Sequence, residues 1–139
     1  MANNAESTKK EITSYLKKKS LKYQDDKEIN GIVLGFSDRN KPDVKFKLAI
    51  SIQEDGDFIQ FFSILKLNPS CNKIQESLFN ENLTKKLIKW TILQEEKTAI
   101  CFVDIFIDEE EEISYKKIDR ALKTIQSSIG SLTNLFLFD

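Results

Sequence analysis

Residues 5–19 carry apolar side chains at Ile12, Tyr15 and Leu16, with lysines on the rest of the segment. That i, i+3, i+4 spacing forms one helical stripe and predicts an amphipathic opening helix. From Ile29 the period shortens to two. Ile32, Leu34 and Phe36 fall on one face of a predicted strand, and Gly31, Val33 and Gly35 on the other. After a polar loop with Asn40 and Pro42, Val44, Phe46, Leu48, Ile50 and Ile52 alternate strictly with Lys45, Lys47, Ala49, Ser51 and Gln53. This is the clearest strand in the chain. Glu54-Asp55-Gly56-Asp57 supplies a turn, so Phe58 to Leu67 is expected to return beside it as a hairpin. The returning strand is apolar on both sides, with Phe58, Phe62 and Ile64 on one and Ile59, Phe61, Leu65 and Leu67 on the other.

Asn68-Pro69 breaks that strand, and 72–84 can form a short helix with Ile74, Leu78 and Phe79 on one side. Leu87 to Gln94 then reads as a strand grouping Ile88, Trp90 and Ile92. A turn at Glu95-Glu96-Lys97-Thr98 leads to Ala99–Ile107, again apolar on both faces: Ile100, Phe102 and Phe106 against Cys101, Val103, Ile105 and Ile107. Beyond the plausible N-cap Ser114, Ile118, Leu122, Ile125, Ile129, Leu132 and Phe136 recur at intervals of 4, 3, 4, 3 and 4, a narrow stripe on one helix. Gly130 could end that helix as a C-terminal cap, but the unbroken stripe favours continuation past it.

The predicted order is α-β-β-β-α-β-β-α, an α+β single domain with an antiparallel sheet and helices packed on it. Residues 1–8 are expected to be a flexible N-terminal segment and 9–139 the folded domain. No internal repeat interrupts it. The 139 residues can bury a substantial core. Lys and Arg total 21 against 22 Asp and Glu, a balance that gives no long-range field toward phosphate backbones, so generic nucleic-acid binding is disfavoured. No stretch is apolar enough to span a bilayer, and the expectation is a soluble cytoplasmic protein with no membrane contact. Histidine is absent, the two cysteines are far apart, and no nucleotide or metal motif is present, so no cofactor is expected and the search moves from catalysis toward binding.

The opening helix, the hairpin around Glu54-Asp55-Gly56-Asp57, the run Phe61-Phe62-Ser63-Ile64-Leu65 leading to Asn68-Pro69, and the strand pair before Ile113-Ser114 together resemble the YbjN family. That family is similar in fold to the chaperones of type III secretion. The resemblance covers about residues 10–138 and rests on element order and apolar pattern. It departs at Asn82-Leu83-Thr84, where an Asn-rich, glycine-containing approach to the next strand would be expected. It implies no established catalytic activity, frequent homodimers and a role in holding or stabilising partner proteins. No site residues carry over.

An antiparallel sheet usually packs one face on the core and leaves the other solvated, which 58–67 and 99–107 contradict. Either the helices and loops close over both faces, or a second chain covers one. Leu135, Leu137 and Phe138 fall off the terminal stripe; they either form a seam for a partner or fold back into their own domain. The residues expected to contact a partner polypeptide, or a second copy, are Phe61, Leu65, Leu135 and Phe138.

Other features carry bland readings beside sharp ones. Asp108 with Glu109, Glu110, Glu111 and Glu112 offers oxygen ligands, yet a run along one loop reads better as a solvated turn leading into a helix, and no metal site is assigned. Lys9, Lys10, Lys17, Lys18 and Lys19 read as the wet face of the first helix. Cys71 near a helix start lacks the histidine base that a nucleophile commonly needs, and Cys101 reads as a small buried hydrophobe. Asp104, in an otherwise apolar strand, could be buried with a raised pKa, or mark an edge, a bulge or a paired charge. The resulting expectation is a non-enzymatic protein-binding module, with no catalytic residue assigned. Its rivals are a small carboxylate-dependent enzyme built on Asp104 and the acidic loop, and a nucleic-acid or regulatory module using the basic first helix.

Overall fold

The computed structural model describes residues 5–38, 40–53, 56–107 and 113–138. The opening stripe folds as α1 (Ala5–Lys18), reaching back into the segment expected to be flexible, and buries Ile12, Tyr15 and Leu16. Four strands follow, β1 (Tyr23–Asp26), β2 (Gly31–Ser37), β3 (Lys45–Ile52) and β4 (Phe58–Leu67). Next come α2 (Ile74–Thr84), β5 (Lys89–Leu93), β6 (Thr98–Phe106), α3 (Tyr115–Ser131), a 3-10 turn at Thr133–Leu135 and β7 (Phe136–Leu137). The sheet runs β1-β2-β3-β4-β6-β5 with every pairing antiparallel, and β7 adds to β4. The α+β class and the helix–sheet architecture are as expected. The strands β1 and β7 are additional.

The core forms between α1, α3 and one face of the sheet. Ile32 and Leu34 of β2, Leu48, Ile50 and Ile52 of β3, Ile59, Phe61 and Leu65 of β4, and Ala99, Cys101 and Val103 of β6 meet the α3 stripe of Ile118, Leu122, Ile125 and Ile129. Each fully buried side chain of this size contributes about 1.5–3 kcal/mol by leaving water. Two of the polar groups taken inside bond to backbone carbonyls: Ser63 Oγ donates to that of Lys47 at 2.7 Å and Thr8 Oγ1 to that of Gly56 at 2.8 Å. Gly31 has a steric reason, since a Cβ there would overlap the Ile50 carbonyl oxygen of β3.

Helix α3 starts as expected, with Ser114 Oγ accepting from the Lys117 N–H at 3.2 Å. Its end differs. The helix stops at Ser131, one residue past Gly130, and the chain turns so that Phe136 and Leu137 pair with Leu67 and Lys66. Phe136 therefore reaches the core from a strand, stacked on Trp90 with ring centroids 5.2 Å apart. Gly130 sits beside Asp38: a Cβ there would come within 2.9 Å of Asp38 Oδ2. Asp38 is held in place because its other oxygen accepts from the Asn40 and Lys41 N–H groups at 2.8 and 3.0 Å.

Candidate functional site

The second face of the sheet is built from the alternate residues of the same strands. The β4–β6 register sets Phe58 beside Phe106, Gln60 beside Asp104, Phe62 beside Phe102 and Ile64 beside Ile100. The first pair touches ring to ring at 4.7 Å. The row through Phe62 continues onto Ala49 of β3 and Val33 of β2. None of these six large side chains joins the hydrophobic core or packs against it. Phe106 is 72% exposed and Ile64 56%, and the other four are half-buried by one another. Helices α1 and α3 lie on the opposite face and α2 lies along the β5 edge, so among the described residues this face has no covering layer. Lys45, Lys47 and Lys89 are exposed at its margins.

One polar pair crosses the patch. Gln60 Nε2 donates to Asp104 Oδ1 at 2.9 Å, and Asp104 is exposed on the interior strand β6. Asp104 is therefore neither buried nor at an edge, because its position in the period of two points it away from the core.

The residues expected at an interface are placed differently from one another. Phe61, Leu65 and Leu135 are buried in the monomer, and Phe138 is half-buried, edge-on against Phe136 at 6.3 Å. For Phe61 and Leu65 the correction is one of phase: the apolar surface on β4 that water reaches is carried by Phe58, Phe62 and Ile64. Leu135 is enclosed because the tail folds back, its carbonyl accepting from the Asn68 N–H at 2.8 Å. Phe79 was grouped with Ile74 and Leu78, but only Leu78 of these is buried. Phe79 and Leu83, one turn apart on α2, are 65% and 70% exposed.

Cys71 and Cys101 are both free thiols, and burial pushes the Cys101 thiol up to about 12. Lys17, Lys18 and Lys19 are exposed, with Lys18 Nζ 5.4 Å from the centre of the Tyr115 ring. The acidic run 108–112 lies outside the described residues. No described helix is long and apolar enough to cross a membrane.

Solved structures that share this fold include the following three. YbjN from E. coli, described as a putative transcription regulator, superposes with a TM-score of 0.65 at 11% identity, over 92% of this chain and 94% of its own. The Yersinia pestis type III secretion chaperone SycH, in complex with a stable fragment of YscM2, gives 0.62 at 9% identity, over 90% and 98%. SchA and HopA1, a chaperone–effector complex, give 0.53 at 10% identity, over 84% and 88%. No protein-family model matches the chain, and no curated protein matches it in sequence.

Proposed function

We propose that this chain is a non-enzymatic protein-binding module, chaperone-like or a subunit of a complex, that presents the open face of its sheet to a partner polypeptide or to a second copy of itself. The observation that carries this is the uncovered patch of Phe58, Phe62, Ile64, Ile100, Phe102 and Phe106 on the strands that also build the core. Contiguous exposed apolar surface rimmed by polar residues is characteristic of protein–protein contacts. The shared fold of SycH and SchA, both crystallised with polypeptide partners, supports the same reading. Phe138, half-buried against the core beside Phe136, stays within it as a second contact apart from the open face, whereas Phe61, Leu65 and Leu135 act as the scaffold that holds the presenting strands. A cytoplasmic setting accords with two unpaired thiols.

Tagged wild-type chain and the double variant Ile64→Asp/Phe106→Asp, each purified from native cells with light scattering on the eluate, test this. The expected result is a polypeptide, or a second copy, in near-equal amount with wild type and absent from the variant, with circular dichroism unchanged. A variant that retains its partner would move the contact off the sheet.

A further inference from the structure

Beyond the sheet face, we infer that a groove on the helical side of the molecule is a docking site for a carboxylate-rich polypeptide segment. The groove, of about 870 Å³, runs between the outer surface of α3 and the residues that lead into β5. Five cations line it: Lys85 and Lys86 on one bank, Lys116, Arg120 and Lys123 on the other. Among the described lining residues the single carboxylate, Asp119, is already engaged, bonded to Lys123 Nζ at 2.9 Å and accepting from the Tyr15 hydroxyl at 2.6 Å. Among the described residues, Lys85, Lys86, Lys116 and Arg120 have no carboxylate within ion-pair distance. Among the described residues, positive charge without an ion-pair partner has therefore gathered on two facing walls of a chain whose total charge is balanced, where the field adds rather than cancels.

Shape and chemistry favour a polypeptide over a nucleic acid. From Lys116 to Ser131 the helical wall measures about 22 Å at about 1.5 Å per residue. That length accepts about six or seven residues of extended chain at about 3.3 Å each. Leu87, 51% exposed, and the buried Ile88 give the groove an apolar strip for a side chain of the segment. Among the described residues no aromatic side chain lines the groove to give the stacking platforms by which single-stranded nucleic acids are held. On α3 the cations stand at 116, 120 and 123, intervals of four and three that align on one face, so carboxylates along an extended segment would meet them in turn.

The test uses the full chain and a fluorescein-labelled octapeptide of six glutamates and two leucines, followed by fluorescence anisotropy. Saturable binding is expected that weakens as salt is added and falls by at least about tenfold in Lys116→Glu/Arg120→Glu. Lys22→Glu/Lys27→Glu changes net charge equally outside the groove and is expected to bind as wild type. So is Ile64→Asp/Phe106→Asp, so that failure here and failure of the sheet-face reading are told apart. The substituted groove side chains are exposed, and unchanged circular dichroism confirms that the fold is intact. Absence of binding, equal loss in both charge-reversal variants, or tighter binding of a labelled thymidine octanucleotide would each overturn the proposal.

Discussion

Tyr15 shows what one residue takes from its position. It sits on the α1 stripe, 3% exposed, packs edge-on against Tyr115 at 5.3 Å, and points its hydroxyl at Asp119 of α3. Burial first, then the bond to Asp119, raises the phenol well above its ordinary 10.0. The same bond, followed by Lys123, holds the Asp119 carboxyl below its ordinary 3.8. The two shifts act at opposite ends of the pH scale. A carboxyl lowered by folding adds stability above its ordinary value and loses it as pH falls through the folded value; a phenol raised by folding adds stability that is lost as pH rises past 10. Tyr15→Phe is therefore expected to lower the urea midpoint at pH 7, with the deficit narrowing below pH 3.8 and again above pH 10. A deficit constant across the range would show that the hydroxyl contributes nothing specific to the α1–α3 contact.

At the scale of elements, the outer side of the edge strand β5, whose other side pairs with β6, is met by the side chain of Asn82. Asn82 of α2 donates Nδ2–H to the Trp90 carbonyl at 2.9 Å and accepts from the Trp90 N–H at 2.7 Å, acting as one residue of a missing neighbouring strand. This satisfies the sheet edge at Trp90 and ties α2 to it. Asn82→Leu keeps the side-chain size but removes both bonds, with an expected cost of about 1–3 kcal/mol. Urea denaturation reads the cost, and faster hydrogen exchange at the Trp90 amide locates it. The polar sequence around Asn82 gave no sign of this role, because a side chain pairing with a strand eight residues later leaves no periodic signal. The polar β1 and the two-residue β7 escaped for the same reason: each exists through its neighbour's hydrogen bonds rather than through an apolar pattern of its own. The α3 stripe was legible through Ile129, where period and burial agree. Past Gly130 the same spacing continues in the sequence while the chain has already left the helix.

For the molecule as a whole, the two faces of the sheet should respond oppositely to the same change. Phe61→Asp places a charge in the core, and even Phe→Ala at such a site costs about 3–5 kcal/mol, against a total stability of about 5–15 kcal/mol. The expected outcome is an unfolded or barely folded protein. Phe106→Asp on the open face forgoes the ring contact with Phe58 and is expected to cost only about 0.5–1.5 kcal/mol. Thermal unfolding of both variants checks this, and comparable losses would mean that the second face is covered in the monomer after all. Which face is which could have been extracted from the sequence. The strict alternation of β3 marks Leu48, Ile50 and Ile52 as inward, and pairing across the 53–57 turn brings Phe61 beside Ile50 and Phe62 beside Ala49. Without the register, a strand apolar on both sides says only that both faces need cover.

The sequence by itself determined the α+β class, three helices, five of the strands and most of the core, because those depend on local period and on burial that repeats with it. It also determined the absence of histidine and the balance of charge. Only the tertiary structure decided that the second face of the sheet has no covering layer among the described residues and that the C-terminal tail closes into the core. It alone brought the lysines of residues 85–86 opposite the cations of α3 across one groove. Those facts arise from pairings between residues far apart in the chain, whose geometry is set by strand register and helix packing rather than by any neighbour in sequence.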